Sequence, residues 1–367
     1  MRYQFASAAL VLNILLAVSG ASPASAEATG RAQENARRSL ATALGERTVP
    51  ILSRQSVRTP ESALSILTES LKKVDQSFSV DRASRERQRG RLLVSTNDWR
   101  LTIFGDGSAA EFVNLTATSK AHENRLEPGR KMSTETLQAM GRDFIARYLA
   151  DTIVLGPAER LEAELVSARM EGGVAADGTS SYSAVVANRI VFTREIDGIP
   201  VVGAGSKVTI TFLNDGGVES FRYDWPQYVA TSRMQATVDA SEILNRVSRT
   251  IGLRAQTLQR EGEQSTLSPE QSRRGKTTLQ RLACGYYDAG IMARDPDAPV
   301  QTGCYYHLVE TRGEGEFVTK AARSGAVPAG QRVEIDPRWP EVARMLGVDG
   351  SAAPDATERP VPPRERQ

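Results

Sequence analysis

Cysteine, histidine and unbalanced charge are all scarce in this chain. Its 367 residues hold two cysteines and two histidines, with 46 basic against 44 acidic side chains. So even a balance creates no field strong enough to gather nucleic acid, and no nucleic-acid partner is expected. Motifs of common chemistry are missing too. There is no H-E-x-x-H, no G-x-S-x-G elbow, no phosphate loop and no dinucleotide fingerprint, so neither a catalytic site nor a cofactor is expected. His122 lies in the polar stretch SKAHENRLEPGR and His307 in CYYHLVE, and each reads as a surface or packing residue. Cys284, Cys304 and His307 have the ligand types of a zinc site, but Cys304 and His307 are three apart and face opposite sides of a strand. No metal is expected.

Long apolar runs are equally absent after the first residues. The start MRYQFASAALVLNILLAVSGASPASAEA has a basic Arg2, an apolar run from Ala8 to Val18 and small residues up to Ala26. It reads as a secretory signal peptide, residues 1–26, too short to span a bilayer and without a cysteine to lipidate. The expectation is an exported chain, periplasmic or secreted, with no membrane span once mature. In that oxidising setting Cys284 and Cys304 are expected to form a disulfide across two strands.

What is present is a recurring order of one helix followed by several strands. A lead-in at 27–58, weakly periodic and open to disorder, carries no assigned function. Thr59 caps a first helix whose Leu64, Leu67, Leu71 and Val74 recur at helical spacing. The charged stretch DRASRERQRGR reads as a solvated linker, since no aromatic residues interleave it. Ser133 opens a second helix, lined by Leu137, Met140, Phe144 and Tyr148, and Asp239-Ala240-Ser241-Glu242 opens a third with Ile243, Val247 and Ile251 on its buried side. The modules expected are 59–130, 131–235 and 236–345, the last with the disulfide, followed by a disordered Pro-rich tail at 346–367. Strands arriving in groups argue against alternating strand and helix. The expectation is an α+β fold of antiparallel sheets, each packed against a helix, with two or three modules in tandem.

The best-patterned stretch is VFTREIDGIPVVGAGSKVTITFLNDGGVESFRYDWPQY, from Val191 to Tyr228. Asp197-Gly198 and Asn214-Asp215-Gly216-Gly217 are hairpin turns, and Val208, Ile210 and Phe212 alternate inward against Lys207, Thr209 and Thr211. Gly203 and Gly205 allow a sharp bend. Over residues 189–224 this pattern resembles the propeptide modules of thermolysin- and fungalysin-type metalloproteases and the related PepSY domain. Gly198, Pro200, Val201, Gly203, Asp215, Gly216 and Val218 follow the order of those modules, with Gly217 adding one residue to the D-G-x-V step. The resemblance implies a small antiparallel sheet on a helix and a role in inhibiting, chaperoning or regulating another exported protein, such as a peptidase or a sensor ectodomain.

Aromatic residues supply the candidate contacts: Trp225 and Tyr228, with Tyr286, Tyr287, Tyr305 and Tyr306 beside the cysteines. On strands, one ring of each tyrosine pair must turn inward. The functional expectation is an exported, non-enzymatic protein-binding module. The alternatives are a secreted hydrolase whose carboxylates lie far apart in sequence, and a glycan-binding surface module.

Overall fold

A computed structural model describes residues 14–15, 46–55, 58–74, 78–88, 90–174, 181–250, 276–293, 298–312 and 319–331. The expected tail at 346–367 and most of the lead-in fall outside these residues. The described strands are β1 (Ile14–Leu15), β2 (Thr48–Gln55), β3 (Ser84–Gln88), β4 (Arg91–Ser95), β5 (Trp99–Phe104), β6 (Ala109–Asn114), β7 (Glu159–Val174), β8 (Ser181–Ile196), β9 (Ile199–Gly203), β10 (Lys207–Leu213), β11 (Val218–Asp224), β12 (Gln227–Ala236), β13 (Lys276–Asp288), β14 (Thr302–Arg312) and β15 (Thr319–Pro328). The helices are α1 (Pro60–Val74), α2 (Leu115–Lys120), α3 (Thr134–Tyr148) and α4, residues 240–250. The described residues form two compact units: one from the ranges 53–229 and 288–293, the other from the ranges 14–52, 230–287 and 298–331.

The first unit is built on one large sheet. From β9 the strand order runs β8, β10, β11, β6, β5, β4 and β3, and β7 pairs with the other edge of β8. The pairings that join these strands are antiparallel. This overturns the expected tandem α+β modules. β11 hydrogen-bonds to β6, with Phe221 opposite Phe112 and Tyr223 opposite Ala110, so strands assigned to two separate sheets form one. The helices share one core in the same way. Leu64, Leu67 and Leu71 of α1 and Leu137, Phe144 and Ile145 of α3 pack with Leu101, Ile103, Ile190, Phe192, Ile210 and Phe221. Aromatic rings bind this core across its width: Phe78 lies 4.4 Å from Trp99, Phe112 5.5 Å from Phe221, and Phe144 5.7 Å from Phe221.

Local rules set the elements. Thr59 Oγ1 accepts the Ser62 N–H at 3.2 Å and Ser133 Oγ accepts the Thr136 N–H at 3.1 Å, which are the expected helix caps. Asp197 and Gly198 both have positive φ, 50° and 75°, so a two-residue turn brings Ile199 back opposite Ile196. The arginine-rich linker expectation is corrected. Residues 84–88 form edge strand β3, fully exposed and paired to β4, where its charges discourage further strand addition.

In the second unit β13, β14 and β15 form antiparallel ladders. Cys284 faces Cys304 directly across β13 and β14, and the two are disulfide-bonded. The two-residue β1 pairs with β13 and lies within the stretch read as signal peptide, which the mature chain would lack. Asp239 Oδ1 caps α4 through the Glu242 N–H at 2.8 Å. From α4 the buried Arg246 reaches the carbonyls of Pro328 and Gly330 at 2.9 and 3.0 Å. Part of the lead-in is also ordered: β2 buries Val49, Ile51 and Leu52, and pairs with β12. No helix among the described residues is long and apolar enough to cross a membrane.

Candidate functional site

The residues singled out for contact divide sharply by burial. Trp225, Tyr286 and Tyr306 are buried and present no contact surface, whereas Tyr287 and Tyr305 are partly exposed. The strand period explains the two pairs, since each puts one ring in and one out. Trp225 instead donates its indole N–H to the Val154 carbonyl at 3.1 Å. Of the turn residues, Gly198 and Gly216 sit at φ 75° and 89°, Gly203 at 104°, and Pro200 pairs opposite Glu195. Val201 is buried, and Asp215 Oδ1 accepts the Gly217 N–H at 2.9 Å. These residues shape the backbone of the hairpins.

A buried polar cluster in the first unit is what the sequence reading missed. Arg194 continues the inward phase of Ile190 and Phe192 on β8 and is fully buried. Its guanidinium carbon stacks 3.9 Å from the Trp225 ring centroid and 4.9 Å from that of Tyr228. Nη1 donates to the Pro226 carbonyl at 2.9 Å and lies 3.4 Å from Glu159 Oε1. Nε and Nη2 find no hydrogen-bond partner among the described residues. Burial lowers the Arg194 pKa, opposed by the neighbouring acidic groups, Tyr228 first and then Glu159, Asp288 and Asp224.

Tyr228 connects that stack to a second set of groups. Its hydroxyl lies 2.8 Å from Ser206 Oγ and donates to Asp288 Oδ2. The Asp288 side chain is completely buried, 3.4 Å from Arg54 Nη2, and its Oδ1 accepts the Gly290 N–H at 2.9 Å. Burial, reinforced by the Asp288 charge, raises the Tyr228 pKa well above the ordinary tyrosine value. The arrangement keeps Tyr228 a neutral hydrogen-bond donor to a buried carboxylate. Ser206 is itself fully buried in this structure, with its hydroxyl engaged by Tyr228.

The histidines are accounted for by simple partners: His122 pairs with Glu171 at 2.7 Å on the surface, and His307 lies 2.7 Å from Ser324 Oγ. Both candidate zinc sulfurs are taken by the disulfide. Among the described residues no group of three or more His, Cys, Asp or Glu side chains is placed to hold a metal ion.

The remaining feature is an open edge. Among the described residues β7 pairs with β8 alone along its 16 residues. Leu165 and Met170 on this strand are 49% and 44% exposed. Register shifts occur at Ala163/Leu165 and Arg169/Met170, and Glu164, left between the first pair, reaches Lys207 at 2.6 Å.

No family model matches the chain, and no curated protein matches it. Among solved structures it is similar to an uncharacterized protein from Eubacterium rectale, with 13% identity and a TM-score of 0.47, covering 77% of this chain and 84% of that one. A likeness this distant carries no argument about function.

Proposed function

We propose that the protein is an exported, non-enzymatic binding module that takes an extended segment of another exported protein along β7. The observation that carries this reading is the 16-residue strand that has one neighbour among the described residues and two exposed apolar side chains, Leu165 and Met170. The Leu161 carbonyl of β7 already accepts from Arg142 Nη1 at 3.0 Å; beyond it, an open strand edge binds a partner strand through main-chain hydrogen bonds, while side chains such as Leu165 and Met170 confer selectivity. The opposite end of the sheet is closed to this use by the charges of β3. The disulfide and the signal-like first residues support an oxidising, extracytoplasmic setting. The resemblance of residues 189–224 to PepSY and protease-propeptide modules points to a peptidase or a sensor ectodomain as the partner.

The test compares oxidised protein starting at Glu27 with its Leu165→Lys/Met170→Lys variant as baits against the exported fraction of the producing cell. Both substituted positions are exposed, so the variant is expected to keep its unfolding midpoint. The reading expects one partner, held by the native bait and released by the charged edge. Equal capture by both baits, or none by either, contradicts it.

A further inference from the structure

The segment Asp288-Ala289-Gly290-Ile291-Met292-Ala293 lies in the first unit as a strap, apart in sequence from the strands it touches. It is fastened at several points. The Asp288 carbonyl accepts the Gly205 N–H at 3.1 Å, and the Ile291 N–H donates to the buried Asp224 Oδ2 at 2.7 Å. Met292 Sδ accepts from Arg91 Nη2 at 3.3 Å. The loop beneath Asp288 is cut to its shape. Gly205 does not have the positive φ of Gly203 or Gly198, so its backbone does not call for glycine. Space does: a Cβ at Gly205 would fall 2.6 Å from both carboxylate oxygens of Asp288. Beside it Ser206 is held at φ 53°, a costly conformation for a residue with a side chain, and from there its hydroxyl meets that of Tyr228. Arg194 stacks against the Tyr228 ring and fixes it. The groups around the carboxylate thus come from β2, the β9–β10 loop and β12, each held by further contacts.

We propose that Arg54, Tyr228, Ser206 and the bare backbone of Gly205 form a carboxylate-recognition site, filled in this structure by the chain's own Asp288. The strap is then an internal stand-in for an acidic residue of a partner protein, and it keeps the site closed until displaced. Only the assignment of the outside carboxylate to a protein rests on the binding-module reading. With the strap displaced the Gly290 N–H leaves with it, and the donors that remain for a free carboxylate are Arg54 and the Tyr228 hydroxyl, the latter positioned by Ser206.

The experiment uses the full chain with Asp288→Ala, and acetate as the probe against chloride at matched ionic strength. The unfolding midpoint of the variant is expected to rise by a few degrees and to saturate with acetate, as linkage requires of a ligand bound only by the folded state. The native protein and the Asp288→Ala/Tyr228→Phe variant are expected to show no such rise. No rise in the single variant, or an equal rise in all three, overturns the site. Should Asp288→Ala not fold, Gly205→Ala in the native chain puts a methyl in the seat of the carboxylate. The Gly290 and Ile291 amides are then expected to exchange at least tenfold faster while β10 and β11 amides keep their rates, and unchanged exchange overturns the site. A Tyr-Asp-Ala-Gly-Ile-Met peptide that binds Asp288→Ala more tightly than acetate supports an acidic protein segment as the ligand. Equal affinity overturns that part. Acetate rescue also persists in the Leu165→Lys/Met170→Lys background if the two sites are independent, so failure here and failure of the edge reading are told apart.

Discussion

Replacing Gly141 with alanine sets two known effects against each other. Gly141 lies in the middle of α3, where alanine is favoured over glycine by about 1 kcal/mol on helix propensity. Packing opposes this. A Cβ at Gly141 would fall 2.6 Å from Phe192 Cε2, 2.8 Å from Cζ and 3.1 Å from Ile190 Cγ2. Ordinary carbon contacts lie near ~3.5–4.0 Å, so the ring must move by most of an ångström. It has nowhere to go: Phe192 and Ile190 are both fully buried, and the Arg142 guanidinium sits 5.6 Å from the Phe192 ring centroid. Overpacking of this kind costs about 1–3 kcal/mol, so the net effect is a loss of about 1 kcal/mol. Urea unfolding followed by tryptophan fluorescence is a suitable assay, because Trp99 and Trp225 are both buried in this core. In a Phe192→Leu background, which lacks the obstructing ring atoms, the same substitution is expected to stabilise. Stabilisation by about 1 kcal/mol in the native background would refute the close seating of α3 on β8.

Four further outcomes are expected. Arg194→Met leaves Glu159 without its buried partner and is expected to cost about 3 kcal/mol, with Glu159→Gln in the same chain restoring part of it; denaturant titrations of the single and double variants decide this. Reduction of Cys284–Cys304, which are 20 residues apart in sequence, is expected to remove roughly 3 kcal/mol by loop-closure entropy, measured by calorimetry with and without reductant. Burial raises the pKa of Tyr223 and Tyr228 in the folded state above that of the unfolded chain. Their contribution is therefore complete below about pH 10 and is lost as pH rises from there toward the folded values. Absorbance at 295 nm is expected to show these two ionising together with unfolding, and their free titration in the folded chain would contradict the burial. Glu219→Gln is expected to weaken the tie from Arg169, whose Nη1 lies 2.7 and 2.9 Å from the two buried carboxylate oxygens, by about 1–3 kcal/mol in urea titration.

The local chemistry of this fold is legible and its long-range pairing is not. Thr59, Ser133 and Asp239 each announce a helix, and each caps one. Asp197-Gly198 announces a hairpin, and the cysteines beside their tyrosine pairs announce a bond across two strands. The partnership of β11 with β6 has no such signal, because a strand's neighbours depend on which pleated faces match across more than a hundred residues. That pairing turned expected tandem modules into one sheet. The buried cluster is hidden for a related reason: Tyr228 and Asp288 are 60 residues apart and meet only once the chain is folded. Arg194 did leave a trace, since it falls in the inward phase set by Ile190 and Phe192, where an arginine must be stacked or paired. Gly205 was read as a bend, whereas the structure shows it making room for a carboxylate.

The most direct test of the account is the affinity of the captured exported partner for the oxidised mature protein and for its Leu165→Lys/Met170→Lys variant, measured in the same buffer. Strand addition along β7 predicts a dissociation constant at least tenfold weaker for the variant, with the unfolding midpoint unchanged. Equal affinities would contradict it and move the binding surface away from this edge.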